Sequence, residues 1–223
     1  MDIWHYADTY KNKISPVFSN IEEEAKKIAD EQYEEMGRYF NPDYHDAGDF
    51  AEQAWEKGLD YFEGMSLMGY NTKLMWCSTL YHFWEQQVRR FIYQEVNRTH
   101  RFIDKNKKEI PFEKFCVRGI DDIKEAFSDF NQNLEQLSSW EDINELRLLT
   151  NVIKHGAGWS ATELEKLRPE FFNNAVLKIN LLELYRNTLT NIVLSIQDED
   201  FERYCNSLIK FWGELPERMY SVS

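Results

Sequence analysis

Apolar residues recur every three to four positions along most of this chain, which places them on one side of successive α-helices. Residues that interrupt helices are scarce, since the 223 residues include nine Gly and five Pro. This spacing predicts an all-α fold, a helical bundle with an N-terminal helical extension. The stretch 176–196 fits either a helix or one short β-hairpin, and the spacing alone leaves both open.

Helix-breaking residues divide the predicted bundle into segments. The predicted helices cover 16–40, 49–68, 72–99, 120–137, 140–155, a short helix from about 160 that Pro169 ends, and 198–215. Gly69 and Asn71 separate the second helix from the third, whose wide apolar surface predicts a central place in the core. The chain 1–223 is read as a single domain, with an extension over 1–70, a core over 71–160 and C-terminal helices over 161–223.

Three local signals mark helix ends. Ser138 with Glu141, and Ser160 with Glu163, have the spacing of capping boxes. Gly156 stands where a left-handed C-terminal cap is expected after the helix over 140–155.

Charge and composition limit the classes of partner. The chain has 26 Lys and Arg against 39 Asp and Glu, a net charge of −13, so nucleic acid is repelled on average and no DNA partner is expected. No apolar run approaches the roughly 20 residues that span a bilayer, and the first residues lack the order of a signal peptide. The three widely spaced Cys do not form a disulfide pattern. We therefore expect a cytoplasmic protein without a membrane partner.

The predicted helix 140–155 carries most of the polar chemistry. At 100° per residue, one arc of about 100° holds Asn144, Arg147, Asn151, Lys154 and His155. An imidazole beside two cations can exchange protons at a phosphate while the cations offset its charge, and this chemistry needs no metal or cofactor. The same residues also fit a solvated face with ordinary C-terminal charge complements.

The segment Thr150-Asn151-Val152-Ile153-Lys154-His155-Gly156 resembles the signature of the HEPN superfamily, which is Arg-Asn, three residues and His, often followed by Gly. The preceding helix, with LYHFWEQQVRRF, is similar to the acidic helix that packs beside this motif. The resemblance covers about 72–160 and implies a small helical bundle, usually dimeric. Many members are metal-independent ribonucleases of toxin–antitoxin and antiphage systems, and others only bind.

Carried over by position, the resemblance makes Asn151 and His155 the motif residues. Thr150 stands where the family has Arg. Arg147 and Lys154 are the cations on the same helix that can substitute for it in a site shared across a dimer. Glu85 is expected to orient His155 from the neighbouring helix.

A basic stretch supplies the expected RNA contacts. Arg89, Arg90, Arg98 and Arg101 lie with aromatic residues between them, a pattern typical of RNA binding and also of a solvated helix end followed by an exposed loop at 100–111. His82 and Glu85 lack a third metal ligand at a suitable spacing, so no metal site is predicted.

Two functions fit these observations. One is a HEPN-like effector that binds or cleaves RNA in antiphage defence or a toxin–antitoxin system, with cleavage depending on His155. The other is a non-catalytic helical module that binds a protein partner.

Overall fold

The computed structural model describes residues 3–99, 101–104, 106–117, 119–172 and 179–216, and it confirms the all-α fold. No strand forms within these residues, where an isolated bridge pairs Ile103 with Glu109. The α-helices are α1 (Ile3–Thr9), α2 (Ile21–Gly37), α3 (Ala47–Thr99), α4 (Phe112–Phe115), α5 (Ile120–Ser128), α6 (Trp140–His155), α7 (Trp159–Leu167), α8 (Leu181–Tyr185) and α9 (Asp198–Glu214). Short turns of π- and 3₁₀-helix connect α1 to α2 at Tyr10–Ile14 and Ser15–Phe18.

Helix α3 is continuous, so the predicted break at Gly69 and Asn71 is wrong. A Cβ atom at Gly69 would lie 3.1 Å from the Phe18 ring, so the missing side chain makes room for a packing contact. That contact offsets the cost of about 1 kcal/mol that Gly imposes inside a helix. The 53-residue helix is about 80 Å long and crosses the predicted boundary between 1–70 and 71–160 without interruption.

The hydrophobic core surrounds the second half of α3. Trp84, Val88 and Ile92 of that half are fully buried, as the wide apolar surface predicts. Helices α6 and α9 pack against it and against each other, and Tyr10 joins them with its ring 4.5 Å from the ring of Phe201 on α9. We call everything outside residues 21–63 the body.

Residues 21–63 form a two-helix hairpin, which we call the arm. Helix α2 packs on the first part of α3 through small residues, and a Cβ at Gly58 would lie 2.7 Å from the carbonyl oxygen of Ala25. Ala25 and Ala54 are buried between the helices. The two helix axes therefore approach closely without a layer of large side chains between them.

Two further predictions fail locally. Over 179–196 there is neither a β-hairpin nor a long helix, because α8 ends after one turn and Arg186 adopts a left-handed conformation (φ 57°), while 176–178 lie outside the described residues. The helix predicted over 120–137 ends at Ser128. Three residues later, Asn131 has a left-handed conformation (φ 56°), and a 3₁₀ turn follows at Leu134–Gln136.

The loop expected at 100–111 is present in its described part, where Phe102 accepts a backbone hydrogen bond from Ile110. Cys77, Cys116 and Cys205 are all free thiols. Among the described helices, none combines the length and apolarity needed to cross a membrane.

Candidate functional site

Helix α6 positions the predicted site and begins at Trp140, as predicted, but the predicted capping box is absent. The Glu214 carboxylate of α9 instead accepts hydrogen bonds from the backbone N–H groups of Ser138 and Ser139, at 3.1 and 3.2 Å, and from both hydroxyls. A distant acidic side chain therefore satisfies the amides before α6, and it ties α6 to α9. The second predicted box fails too, because Gly158 precedes α7 and Glu163 pairs with Lys166.

The C-terminal end of α6 is fixed by the loop after α8. Gly156 has φ 71° and ψ −138°, so its positive φ is as predicted but its ψ lies outside the left-handed helical region. A Cβ there would lie 2.4 Å from the carbonyl oxygen of Arg186, and Thr188 donates a hydrogen bond to the Ile153 carbonyl at 3.3 Å. The fold thus requires glycine at 156 and places the backbone of Arg186, a residue that sequence reasoning did not single out, against the end of α6.

The two C-terminal motif side chains are open to solvent. His155 and Lys154 are both exposed, and Asn151 one turn earlier is half-buried. Within the described part of the chain, the His155 ring makes no hydrogen bond and no ion pair. The imidazole is therefore accessible to an anion from solvent.

Arg147 is less available than His155. It is half-buried, and its Nε and Nη2 atoms donate to the Asn144 side-chain oxygen at 3.1 and 2.9 Å. Eight residues of helix separate it from His155, which is about 12 Å along the axis. One α6 helix alone does not bring both groups to a single phosphate.

Thr150 stands where the resemblance expects an arginine. It is 2% exposed, and its hydroxyl has no hydrogen-bond partner in the described structure. An arginine at this position would have its guanidinium directed into the core. The motif position therefore supplies no charge to the exposed face of α6.

Glu85 has partners other than the predicted one. Its Oε1 accepts hydrogen bonds from the Tyr81 hydroxyl at 3.3 Å and from Arg89 at 3.0 Å. Burial and the Glu85 carboxylate raise the pKa of Tyr81 well above its usual value, against the opposing charges of Arg147 and Arg89. Glu85 thus belongs to a half-buried cluster on α3 that Arg147 approaches from α6.

Of the four arginines predicted to contact RNA, one is buried and three are exposed. Arg89 is 8% exposed and also donates to the Cys116 carbonyl at 2.7 Å, so it ties α3 to the segment after α4. Arg98 and Arg101 are exposed and pair with Glu95 and Glu109. Arg90 is exposed and has no ion pair among the residues described; it lines a groove of about 610 Å³ with Phe112 and Arg89.

A buried ionic network on the other side of α6 was not predicted. Glu145 is 6% exposed and accepts from Arg168 at 2.8 Å, from Arg203 at 2.5 Å and from the Tyr204 hydroxyl at 2.6 Å. Burial, followed by this carboxylate, raises the pKa of Tyr204 far above its usual value. Because every member has partners, we assign the network to fastening α6 to α9 and to the end of α7.

No group of three or more His, Cys, Asp and Glu side chains suited to a metal occurs in the part of the chain described. The Cys205 thiol is buried, which raises its pKa to about 12 and disfavours the nucleophilic thiolate.

Comparison of the whole chain with family models, curated proteins and solved structures finds no match in any of the three. The candidate site rests on its own geometry.

Proposed function

We propose that this chain is a HEPN-like effector that binds RNA at the exposed face of α6 and cleaves it without a metal, in antiphage defence or a toxin–antitoxin system. The observation that carries the proposal is the exposed His155 ring, unpaired among the described residues, beside Lys154 at a helix end. An exposed imidazole and an exposed ammonium on neighbouring residues can both donate hydrogen bonds to the oxygens of an RNA phosphate.

In the proposed reaction, neutral His155 takes the proton of a ribose 2′-hydroxyl, whose oxygen attacks the adjacent phosphorus. The bond from phosphorus to the 5′-oxygen breaks, and a protonated imidazole gives its proton to that oxygen. The products are a 2′,3′-cyclic phosphate and a free 5′-hydroxyl. Lys154 offsets charge on the phosphoryl oxygens.

The spacing of about 12 Å between Arg147 and His155 favours a homodimer as the active form. Apposition of two α6 faces would give one reaction centre two imidazoles, one as base and one as acid. It would also bring in cations that a single α6 helix does not gather.

An RNA long enough to reach the other end of α6 would also contact the exposed arginines. Arg90 is free of ion pairs among the described residues, and the Arg101–Glu109 pair is exposed, so an RNA phosphate can replace that carboxylate at small cost. The Arg98 side chain is exposed, but its partner Glu95 is only 11% exposed, so Arg98 would contact RNA while keeping this pair. Arg89 is a structural residue in this proposal because its guanidinium is buried and bonded.

The test compares His155→Ala with His5→Ala, which removes an exposed imidazole from α1. We expect His155→Ala to lower the rate of RNA cleavage by about 100-fold or more, because a proton-transfer group is lost. His5→Ala should cleave at the wild-type rate, and both should keep wild-type circular dichroism. Equal cleavage by both variants, or no cleavage of any cellular RNA by wild-type protein, would contradict the proposal.

A second function, a non-catalytic module that binds a protein, is favoured by two observations on α6. Thr150 is buried and uncharged where the family has Arg, and Arg147 is held by Asn144. This function predicts a stable complex with another protein that His155→Ala and Asn151→Ala leave intact. Loss of the complex in either variant would count against it.

A further inference from the structure

The arm contains an open groove that the α6 face does not share. The groove has a volume of about 650 Å³ and runs between α2 and the start of α3. Side chains at helical spacing line both sides, from Glu22 to Tyr33 on α2 and from Ala51 to Phe62 on α3. Eleven residue steps on each helix give a length of about 16 Å, three helical turns.

The lining has a small floor and aromatic sides. Ala25, Ala54 and Gly58 form the floor and are buried, whereas Trp55 on one side is 61% exposed and Tyr33 on the other is 47% exposed. Small residues let a third backbone approach closely, and exposed aromatic side chains bury large apolar area when a partner covers them. This shape fits the apolar face of a helix about three turns long.

The charge of the arm selects among possible occupants. Residues 21–63 contain fourteen Asp and Glu against four Lys and Arg, a net charge of −10, so the other 180 residues carry −3 of the total −13. Lys27 with Glu31 is the single ion pair that involves the arm among the described residues. Glu22 and Asp30 lie on the lining of the groove itself, with Lys26 between them.

We propose that the groove binds a Lys- and Arg-rich amphipathic helix of a partner protein, which completes a three-helix bundle with α2 and α3. Its apolar stripe covers Trp55 and Tyr33, and its flanking cations meet the carboxylates of the arm. RNA carries the same sign as the arm and is repelled. A second arm is repelled as well, since each carries −10. This proposal does not depend on cleavage at His155.

The test uses a phage-displayed library of helix-forming 18-residue peptides, selected on the full chain and counter-selected on the Trp55→Ala variant. Enriched peptides should combine apolar residues at a spacing of three to four with Lys or Arg beside them. By fluorescence anisotropy, Trp55→Ala should weaken the best peptide by about 30-fold, since a central aromatic anchor is lost. Tyr44→Ala is the matched control, because Tyr44 is 84% exposed at the tip of the arm and outside the groove.

Three results would overturn the proposal. One is enrichment of acidic or neutral peptides, or of none. Another is equal binding of the best peptide and its scrambled sequence, because binding would then be charge attraction alone. The third is a dimer in sedimentation equilibrium that Trp55→Asp converts to monomer while Tyr44→Asp does not, because a second copy would then fill the groove. RNA cleavage is measured on Trp55→Ala as well. Because the groove and the α6 face are separate surfaces, any of these three results can occur while RNA cleavage stays at the wild-type rate, and the α6 proposal then stands.

Discussion

One helix, α3, passes through two regions that are built in opposite ways. In the body it contributes Trp84 with 0% exposure, whose ring packs edge-on against Phe211 at 5.2 Å. In the arm it contributes Trp55 with 61% exposure. The same residue type thus serves the core in one region and lies on an open groove in the other.

The difference shows which contacts hold each region. The body is a closed core of large apolar side chains with a buried ionic network around Glu145. The arm is held by close approach of small residues, so it buries little apolar area while carrying most of the net negative charge. A region with few buried apolar contacts and strong repulsion between its own charges unfolds locally at a low free energy. Such a region is stabilised when a partner of opposite charge binds to it.

The largest expected effect separates the two tryptophans. Trp84→Ala should lower the free energy of unfolding by about 3–5 kcal/mol, because it empties a large core site. Trp55→Ala should change it by less than about 0.5 kcal/mol, since its side chain is mostly in solvent. Urea unfolding followed by circular dichroism measures both. Similar losses in the two variants would show that the arm belongs to the same core as the body.

Much of the body could be predicted from the sequence, since periodicity and breaking residues agree there. The bounds of α6 are as predicted, and α9 differs by one residue, because Gly156 and Pro216 interrupt strongly periodic segments. The continuity of α3 could not be predicted, since a glycine inside a helix costs only about 1 kcal/mol and the space beside Gly69 is filled by Phe18, which is remote in sequence. The start of α6 is a second case of a contact that is remote in sequence. Local spacing predicts a capping box between Ser138 and Glu141, whereas the carboxylate that accepts from Ser138 belongs to Glu214 of α9.

The candidate site was predictable only in part. Spacing alone places Arg147, Asn151 and His155 along one side of α6. The pairing of Glu85 with Arg89 follows from their separation of four residues, but the burial of Arg89 depends on Cys116, which local pattern does not reveal. The backbone of Arg186 packs against the end of α6 through a loop for which the local sequence pattern fits both a hairpin and a helix.

A smaller effect should be confined to the arm. Gly58→Ala places a methyl group 2.7 Å from the Ala25 carbonyl oxygen and 3.0 Å from the Ala29 Cβ, so the two helices must move apart. The net cost should be about 1 kcal/mol, since overpacking is partly offset by the higher helix propensity of alanine. Hydrogen exchange should show lost protection in α2 and unchanged protection in α6.

Gly64→Ala is the matched control for this prediction. Nothing lies within 4 Å of a Cβ at Gly64, so the substitution should stabilise α3 by up to about 1 kcal/mol. If Gly58→Ala instead reduced protection in α6 or α9, the arm and body would be one cooperative unit, and the contrast between them would fail.

An effect of similar size at pH 7, which becomes smaller in acid, tests how the body holds α6 in place. Burial raises the pKa of Glu214, but the hydrogen bonds from Ser138 and Ser139 outweigh it and leave the pKa below its ordinary value of 4.5. A carboxyl group with a lowered pKa in the folded state stabilises the fold above that ordinary value, and its contribution is lost as the pH falls through the folded pKa. Glu214→Gln should therefore cost about 1 kcal/mol at pH 7, the usual worth of a helix cap, and progressively less below about pH 4.5. Urea unfolding from pH 7 to pH 3 measures the difference, with Glu199→Gln on the first turn of α9 as control. A difference that did not depend on pH would mean that the charge of Glu214 plays no part in holding the start of α6.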